Sequence, residues 1–192
     1  MTMPNIIKET SEGTTQCRLD DIMFMRRELL CTGPVTSESM DILMQQLRYL
    51  QEQDAEKEIT VFIDSPGGEV TAGMAFYDAL AGSPCRIRTV CMGTAASMGA
   101  VIFLAGEDRQ ILPHGKIVLH DPSVYGNIGE KALQLRAISE WIMRDRENLL
   151  DIITGRCGKT REEVEKITAM DTCFDAGEAL CFGIATEIIH RI

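Results

Sequence analysis

Basic residues are scarce in this chain of 192: 19 Lys and Arg stand against 29 Asp and Glu, a formal net charge of −10. Gripping a phosphate backbone needs a clustered basic footprint, and with none here no nucleic-acid partner is expected. No apolar run approaches the roughly 20 residues of a membrane span; the longest, around Ala95 to Ala105, is too short, so no membrane association is expected. The stretch Met1-Thr2-Met3-Pro4-Asn5 has neither a basic n-region nor an apolar h-region and reads as no secretory signal. The seven cysteines, at 17, 31, 85, 91, 157, 173 and 181, are odd in number and form no C-x-x-C pair. That spacing suggests neither a zinc site nor a redox motif, and no metal is expected. Cys91 and Cys181 lie in apolar runs and read as small core residues. The expected location is a reducing cytosol, that is, cytoplasmic. No repeat, low-complexity segment or linker divides the chain. With 45% hydrophobic content it is long enough for one domain around one core.

What is present alternates between two periodicities. Met40, Leu43, Met44, Leu47 and Leu50 follow helical spacing behind the N-cap chemistry of Thr36-Ser37. The β-branched run Ile59 to Ile63 ends at the turn Asp64-Ser65-Pro66-Gly67-Gly68. A short helix over about Thr71 to Leu80 comes next, then a strand from Arg86 to Met92 and an apolar helix from Met98 to Ala105. Ile111-Leu112 leads into a Pro113-His114-Gly115 turn, and Lys116 to Leu119 reads as a strand. A long helix is expected from about Glu130 to Thr154, with Leu135, Ile138, Ile142 and Leu149 on one side and a solvated charged middle, Arg144-Asp145-Arg146-Glu147. Thr160 with Glu163, and Asp175 with Glu178, are capping-box signals for two late helices. Gly183 stops the second before a final strand, Ile184 to Ile188. Strands alternating with helices make an α/β protein with a layered core.

One segment concentrates the chemistry: Gly93-Thr94-Ala95-Ala96-Ser97-Met98-Gly99-Ala100. It sets a serine between small residues at a strand-to-helix corner, where unpaired helix N–H groups favour a developing negative charge. Taken alone, Ser97 also reads as a simple N-cap. A serine nucleophile needs a base, a group that orients the base, and donors for an oxyanion. Of three histidines, His120 ends a β-type run, where sites commonly lie in α/β sheets; His114 sits in a turn and His190 near the C-terminus. Asp171 lies in a loop after a helix end, a placement shared with ordinary turn aspartates. Gly67-Gly68 closes a strand with no Cβ in the way of its N–H groups. That is a tight turn or, with the Met98 amide, a pair of oxyanion donors.

The runs Phe62-Ile63-Asp64-Ser65-Pro66-Gly67-Gly68-Glu69-Val70-Thr71-Ala72-Gly73-Met74 and Met92 through Ala100 resemble the ClpP family, the proteolytic subunits of ATP-dependent Clp proteases. The resemblance continues in Leu112-Pro113, in His120-Asp121-Pro122 and in Asp171 with Phe174 to Ala179. Pro4 to Ser11 is similar to the family's axial-loop segment. Nearly the whole chain is covered, so the resemblance implies one domain over 1–192, with an axial-loop segment at 1–18 and a handle region at about 121–155. The implied fold is α/β and crotonase-like, built of repeated β-β-α units with a protruding handle helix. The implied activity is that of a serine endopeptidase in proteolysis and protein quality control: Ser97 as nucleophile, His120 as general base, Asp171 as orienting carboxylate, and Gly68 and Met98 as oxyanion amides. The implied assembly is a heptameric ring, stacked in pairs as a tetradecamer. It would be fed unfolded proteins by an AAA+ unfoldase such as ClpX, ClpA or ClpC, with no cofactor in the peptidase subunit because the partner consumes the ATP.

Some positions depart from the family pattern. Asp64, Thr94 and Asp121 stand where the family usually carries Asn, Gln and Gln. The carboxylate of Asp121, next to His120, is expected to favour the protonated ring and weaken it as a base. Ala169-Met170 replaces the acidic-basic pair used between rings, and Ser123-Val124-Tyr125-Gly126-Asn127-Ile128 replaces a Gly- and Gln-rich stretch. These changes fit an atypical paralogue that is weakly active alone or regulatory and needs a second subunit type. Two other readings stay open: a crotonase-fold acyl-CoA enzyme, which needs the amides but no triad, and an α/β-hydrolase order of Ser97, Asp171 and His190.

Overall fold

The computed structural model describes residues 5–11, 13–123 and 131–192. The chain opens with an antiparallel hairpin, β1 (Asn5–Thr10) and β2 (Gly13–Arg18), followed by α1 (Leu19–Met25) and β3 (Glu28–Thr32). Helix α2 (Ser37–Gln53) starts where its sequence demands. The Thr36 hydroxyl accepts from the Ser39 N–H at 3.1 Å while the Ser39 hydroxyl accepts from the Thr36 N–H at 2.9 Å. These bonds satisfy two otherwise orphaned donors. Met40, Leu43, Leu47 and Leu50 then fall on one buried face. Next come β4 (Ile59–Ser65), α3 (Val70–Ala81), β5 (Ile87–Ala96), α4 (Met98–Leu104), β6 (Asp108–Ile111) and β7 (Lys116–Leu119). The chain closes with α5 (Ala132–Cys157), α6 (Arg161–Thr168), β8 (Thr172–Phe174), α7 (Ala176–Phe182) and β9 (Glu187–Ile188).

Strands β3-β4-β5-β6-β9 lie side by side, all parallel. Parallel strands are covered on both faces, and β4 accordingly buries Ile59, Val61, Phe62 and Ile63 together. Every residue of α4 is buried, the mark of a helix inside the core rather than on it. Strand β5 sorts its length between two neighbours. Residues Arg88 to Cys91 pair with β6, whereas Thr94, Ala95 and Ala96 pair with Lys116, Ile117 and Val118 of β7. Strand β7 in turn pairs antiparallel with β8. This fork brings β7, and His120 directly after it, to the end of β5. One buried cluster extends from Leu29 to Ala185.

Several expectations need correction. Helix α5 begins at Ala132, Glu130 lying outside the described residues, and it runs past Thr154 to Cys157, where Gly158 at φ 64° ends it. Its first half has no core to cover: Leu135 is exposed, Ile138 and Ile142 are half-buried, and burial starts at Leu149. The charged middle is not uniformly solvated, for the Arg146 side chain is only 20% exposed. Cys181 is exposed on the outer face of α7. The final strand shrinks to two residues because the Ile184 and Ala185 N–H groups turn back to the Ala179 carbonyl. No described helix is long and apolar enough to cross a membrane.

Candidate active site

The fork in the sheet sets Ser97 beside β7. With Ala96 paired to Val118, the Ser97 N–H donates to the Val118 carbonyl at 2.9 Å. The chain then reverses into α4 in a single residue, holding Ser97 at φ 53° and ψ −122°. A non-glycine residue in that region costs about 1–3 kcal/mol and persists only where the surroundings over-determine it. Among the described residues just three non-glycines have positive φ: Arg27, Ser97 and Asp171. Two of the three are candidate site residues, so the strain is concentrated here. Ser97 occupies the N-cap position, yet its hydroxyl makes no capping bond. The simple N-cap reading does not describe it.

The glycine pair lies on the other side of the corner. Val35 donates to the Gly67 carbonyl and accepts from the Glu69 N–H, both at 2.9 Å. In a parallel bridge of this kind the residue between those two partners turns its own N–H away from the bridging residue. The Gly68 N–H therefore faces away from Val35, toward the β5 side of the sheet. Space admits nothing larger than glycine. A Cβ on Gly67 would lie 2.6 Å from Ser97 Cβ, and one on Gly68 would lie 2.1 Å from the Val35 carbonyl oxygen. Both backbones also have φ in the range glycine favours, 88° and 153°. Gly68→Ala should thus destabilise the fold by more than about 1 kcal/mol and slow any reaction at Ser97. A thermal melt paired with a Ser97 labelling rate checks this, and an alanine variant that melts and reacts like the parent contradicts it.

His120 comes directly after β7, half-buried, and shares a narrow cavity with Ser97. The walls are apolar: Val70, Met98, Val101, Leu149 and Ile153, the last two from the C-terminal half of α5. The free volume is about 20 Å³, room for one water rather than a side chain. His120 Nδ1 lies 2.7 Å from the Asp121 main-chain oxygen. A carbonyl only accepts, so Nδ1 carries the proton and Nε2 is left to act as acceptor in the neutral ring. The β7–β8 register pairs Ile117 with Phe174, Val118 with Cys173 and Leu119 with Thr172. The next step of that register sets Asp171 across from His120. Asp171 sits at φ 30° and is exposed. Its carboxylate has no hydrogen bond to another described residue. His114 and His190 are both exposed, and neither lines the cavity.

A family model, Clp protease, matches residues 11–191. The chain belongs to the Clp protease family. Its α/β architecture, a mostly parallel sheet with seven helices among the described residues, is consistent with the ClpP fold.

One arrangement in this Clp protease chain escapes a reading of the sequence. The Asp121 carboxylate does not face the His120 ring; it accepts from Arg146 Nε at 2.8 Å. That bond holds the Arg146 guanidinium more firmly in its charged form, with Glu165 and Glu147 adding to the effect. A signal existed: Arg146 falls on the helical stripe Ile142, Leu149 and Ile153, four residues after the first and three before the second. It is a charged residue on the inward side of α5, as Arg156 is near the helix end, where it donates to the Leu104 and Ala105 carbonyls.

Proposed function

We propose that this chain is a serine endopeptidase, a ClpP-type proteolytic subunit. The observation that carries the reading is the strained corner at Ser97, whose uncommitted hydroxyl shares a cavity with a histidine already fixed through Nδ1. Ser97 Oγ attacks the carbonyl carbon of a peptide bond as His120 Nε2 takes its proton. The oxyanion is met by the Gly68 and Met98 N–H groups. His120 returns the proton to the leaving amine, and water then hydrolyses the Ser97 ester by the same route. Asp171, across from His120, acts as the orienting carboxylate once its turn brings the side chain to the ring. The apolar cavity walls select an apolar side chain next to the cleaved bond, after the cavity has opened. No cofactor enters these steps.

We further propose that the chain works as a homo-oligomeric ring fed with unfolded proteins by an AAA+ unfoldase of the ClpX, ClpA or ClpC kind, in the cytoplasm. The handle helix supports association: Leu133, Trp141 and Met143 are 81%, 65% and 51% exposed, an apolar surface that a second copy can cover. Three observations favour a subunit that is weakly active alone. The cavity is nearly closed and the Asp171 carboxylate is unengaged, while Met170, 74% exposed, offers no charge for a ring-to-ring ion pair.

The test measures native mass, fluorogenic peptide hydrolysis and serine-directed phosphonate labelling on one sample. Rings are expected, with few stacked pairs and low peptidase activity. Each exposed ion pair is worth only ~1 kcal/mol, but a ring multiplies the effect. Ala169→Asp with Met170→Arg, or an activating partner subunit, should raise stacking and rate together. A stable, highly active tetradecamer of the unmodified protein would refute the weak-stacking reading and leave the peptidase assignment standing.

A further inference from the structure

We propose that Arg146 is a positioning residue for the His120 base, acting through Asp121. The inference rests on the peptidase reading above. The Asp121 residue meets three partners at once. Its N–H donates to the Thr168 carbonyl at 2.9 Å, its own carbonyl receives His120 Nδ1 at 2.7 Å, and its carboxylate is held by Arg146 at 2.8 Å. The first contact anchors the His120–Asp121 peptide and the third anchors the Asp121 side chain, so together they hold the Cα from which the Asp121 carbonyl of the second contact projects. The His120 tautomer and ring direction thus depend on a guanidinium on α5, 25 residues further along the chain than Asp121.

Arg146 is suited to this role. Its side chain is 20% exposed and that of Asp121 33%, so the pair is partly withdrawn from solvent and less screened than a surface pair. It also joins a network. Arg146 lies 3.6 Å from Glu147 and 3.8 Å from Glu165, and Arg161 bonds Glu147, Asp151 and Glu165. The cluster ties α5 to α6, and α6 leads directly into the turn that carries Asp171. The same cation therefore holds the segment after His120 and the helix before Asp171. In this arrangement the Asp121 carbonyl selects Nδ1–H and leaves Nε2 as the base, holding the ring in the tautomer and direction in which the Asp171 carboxylate takes over that proton once its turn brings it to the ring.

The charged groups around His120 predict a pH signature. Asp121 lies beside it, Glu147 and Arg146 come from α5, Glu165 and Arg161 from α6, and Asp171 from the facing turn. Removing Arg146 leaves Asp121 unpaired in a predominantly acidic surrounding. The protonated ring is then favoured, and the base becomes available only at higher pH.

The experiment measures the phosphonate labelling rate of Ser97 and kcat and KM for a peptide, from about pH 5.5 to 9 around the ordinary histidine range, with thermal melts and native mass as folding controls. Arg146→Leu should lower kcat by about tenfold, as expected for a base displaced by a fraction of an ångström, with KM within about twofold. Its acidic limb should move to higher pH. Arg146→Lys should return the limb to its original place. Asp121→Asn removes the ion pair without freeing a carboxylate, so its rate should fall while the limb does not move to higher pH. A residue that merely supported the fold would lower the rate in all three with no difference between limbs. The proposal is overturned if Arg146→Leu and Asp121→Asn both react at the parent rate with an unmoved profile. If Arg146→Leu fails to fold, the Asp121→Asn rate and the Lys profile decide. Absence of Ser97 labelling in the unmodified protein is a different failure, that of the peptidase reading itself.

Discussion

Ser97→Ala is expected to cut peptide hydrolysis by ~10⁴-fold or more and to abolish labelling by serine-directed phosphonates, while the melting curve and the assembly stay as they were. The second half of this expectation comes from the local geometry. The Ser97 hydroxyl makes no capping bond, and alanine suffers the same backbone penalty at φ 53° as serine does. No stabilising contact is therefore lost, and the change in stability should lie within about 0.5 kcal/mol. Ser97→Gly is the useful contrast. It removes the nucleophile and also relieves the positive φ, at the cost of a freer unfolded chain. A loss of activity accompanied by a cooperative unfolding defect in the alanine variant would mean that Ser97 is structural. Labelling that persists in the alanine variant would sink the assignment outright. Exposed Cys173 is the residue to inspect in that case, since burial pushes the Cys91 thiol up to about 12 and leaves it unreactive at neutral pH. The acyl-CoA alternative separates here too, because thioester chemistry on paired amides needs no serine and would survive Ser97→Ala.

The elements that could be read from the sequence are those with local causes. Thr36, Thr160 and Asp175 each cap a helix through the side-chain bonds their spacing implies, and the β-branched runs at β4 and β7 are strands. What escaped is non-local. Gly93-Thr94-Ala95-Ala96 has little intrinsic strand preference, yet it is the end of β5 because β7 arrives to pair with it. The three-residue β8 is strand only by virtue of β7, so the facing of His120 and Asp171 lies in a register that no single segment encodes. Leu135 and Ile138 have a helical apolar period but no partner within the described chain, and periodicity alone cannot say whether a face is covered by the chain's own core or by another molecule. Cys181 sits in an apolar run, Ala179-Leu180-Cys181-Phe182, of which α7 buries only the Ala179 side. For the site, Ser97 and His120 were legible because the first stands at the start of a recognisable apolar helix and the second at the end of a recognisable strand. The Asp121–Arg146 pair was not, since it joins a strand end to a helix face that looked solvated.

His120→Ala should be as damaging as Ser97→Ala, and the double variant little worse than either, because nucleophile and base act as one unit. Among the described residues that line the cavity, none substitutes for the lost imidazole. His114 and His190 are exposed and neither lines the Ser97 cavity, and no Lys side chain lines it either. Addition of free imidazole to the His120→Ala protein tests this further: the cavity is tight, about 20 Å³ before truncation, and the deleted ring leaves a space of its own shape, so partial recovery of labelling is expected. His190→Ala should stay within about twofold of the parent, as for any exposed residue remote from the chemistry. The opposite pattern, a lethal His190 change with a mild His120 change, would show that the C-terminal segment folds over Ser97 in the working enzyme. The triad would then take the hydrolase order of serine, acid and histidine, and the orienting role given to the Asp121 carbonyl would have no base to act on.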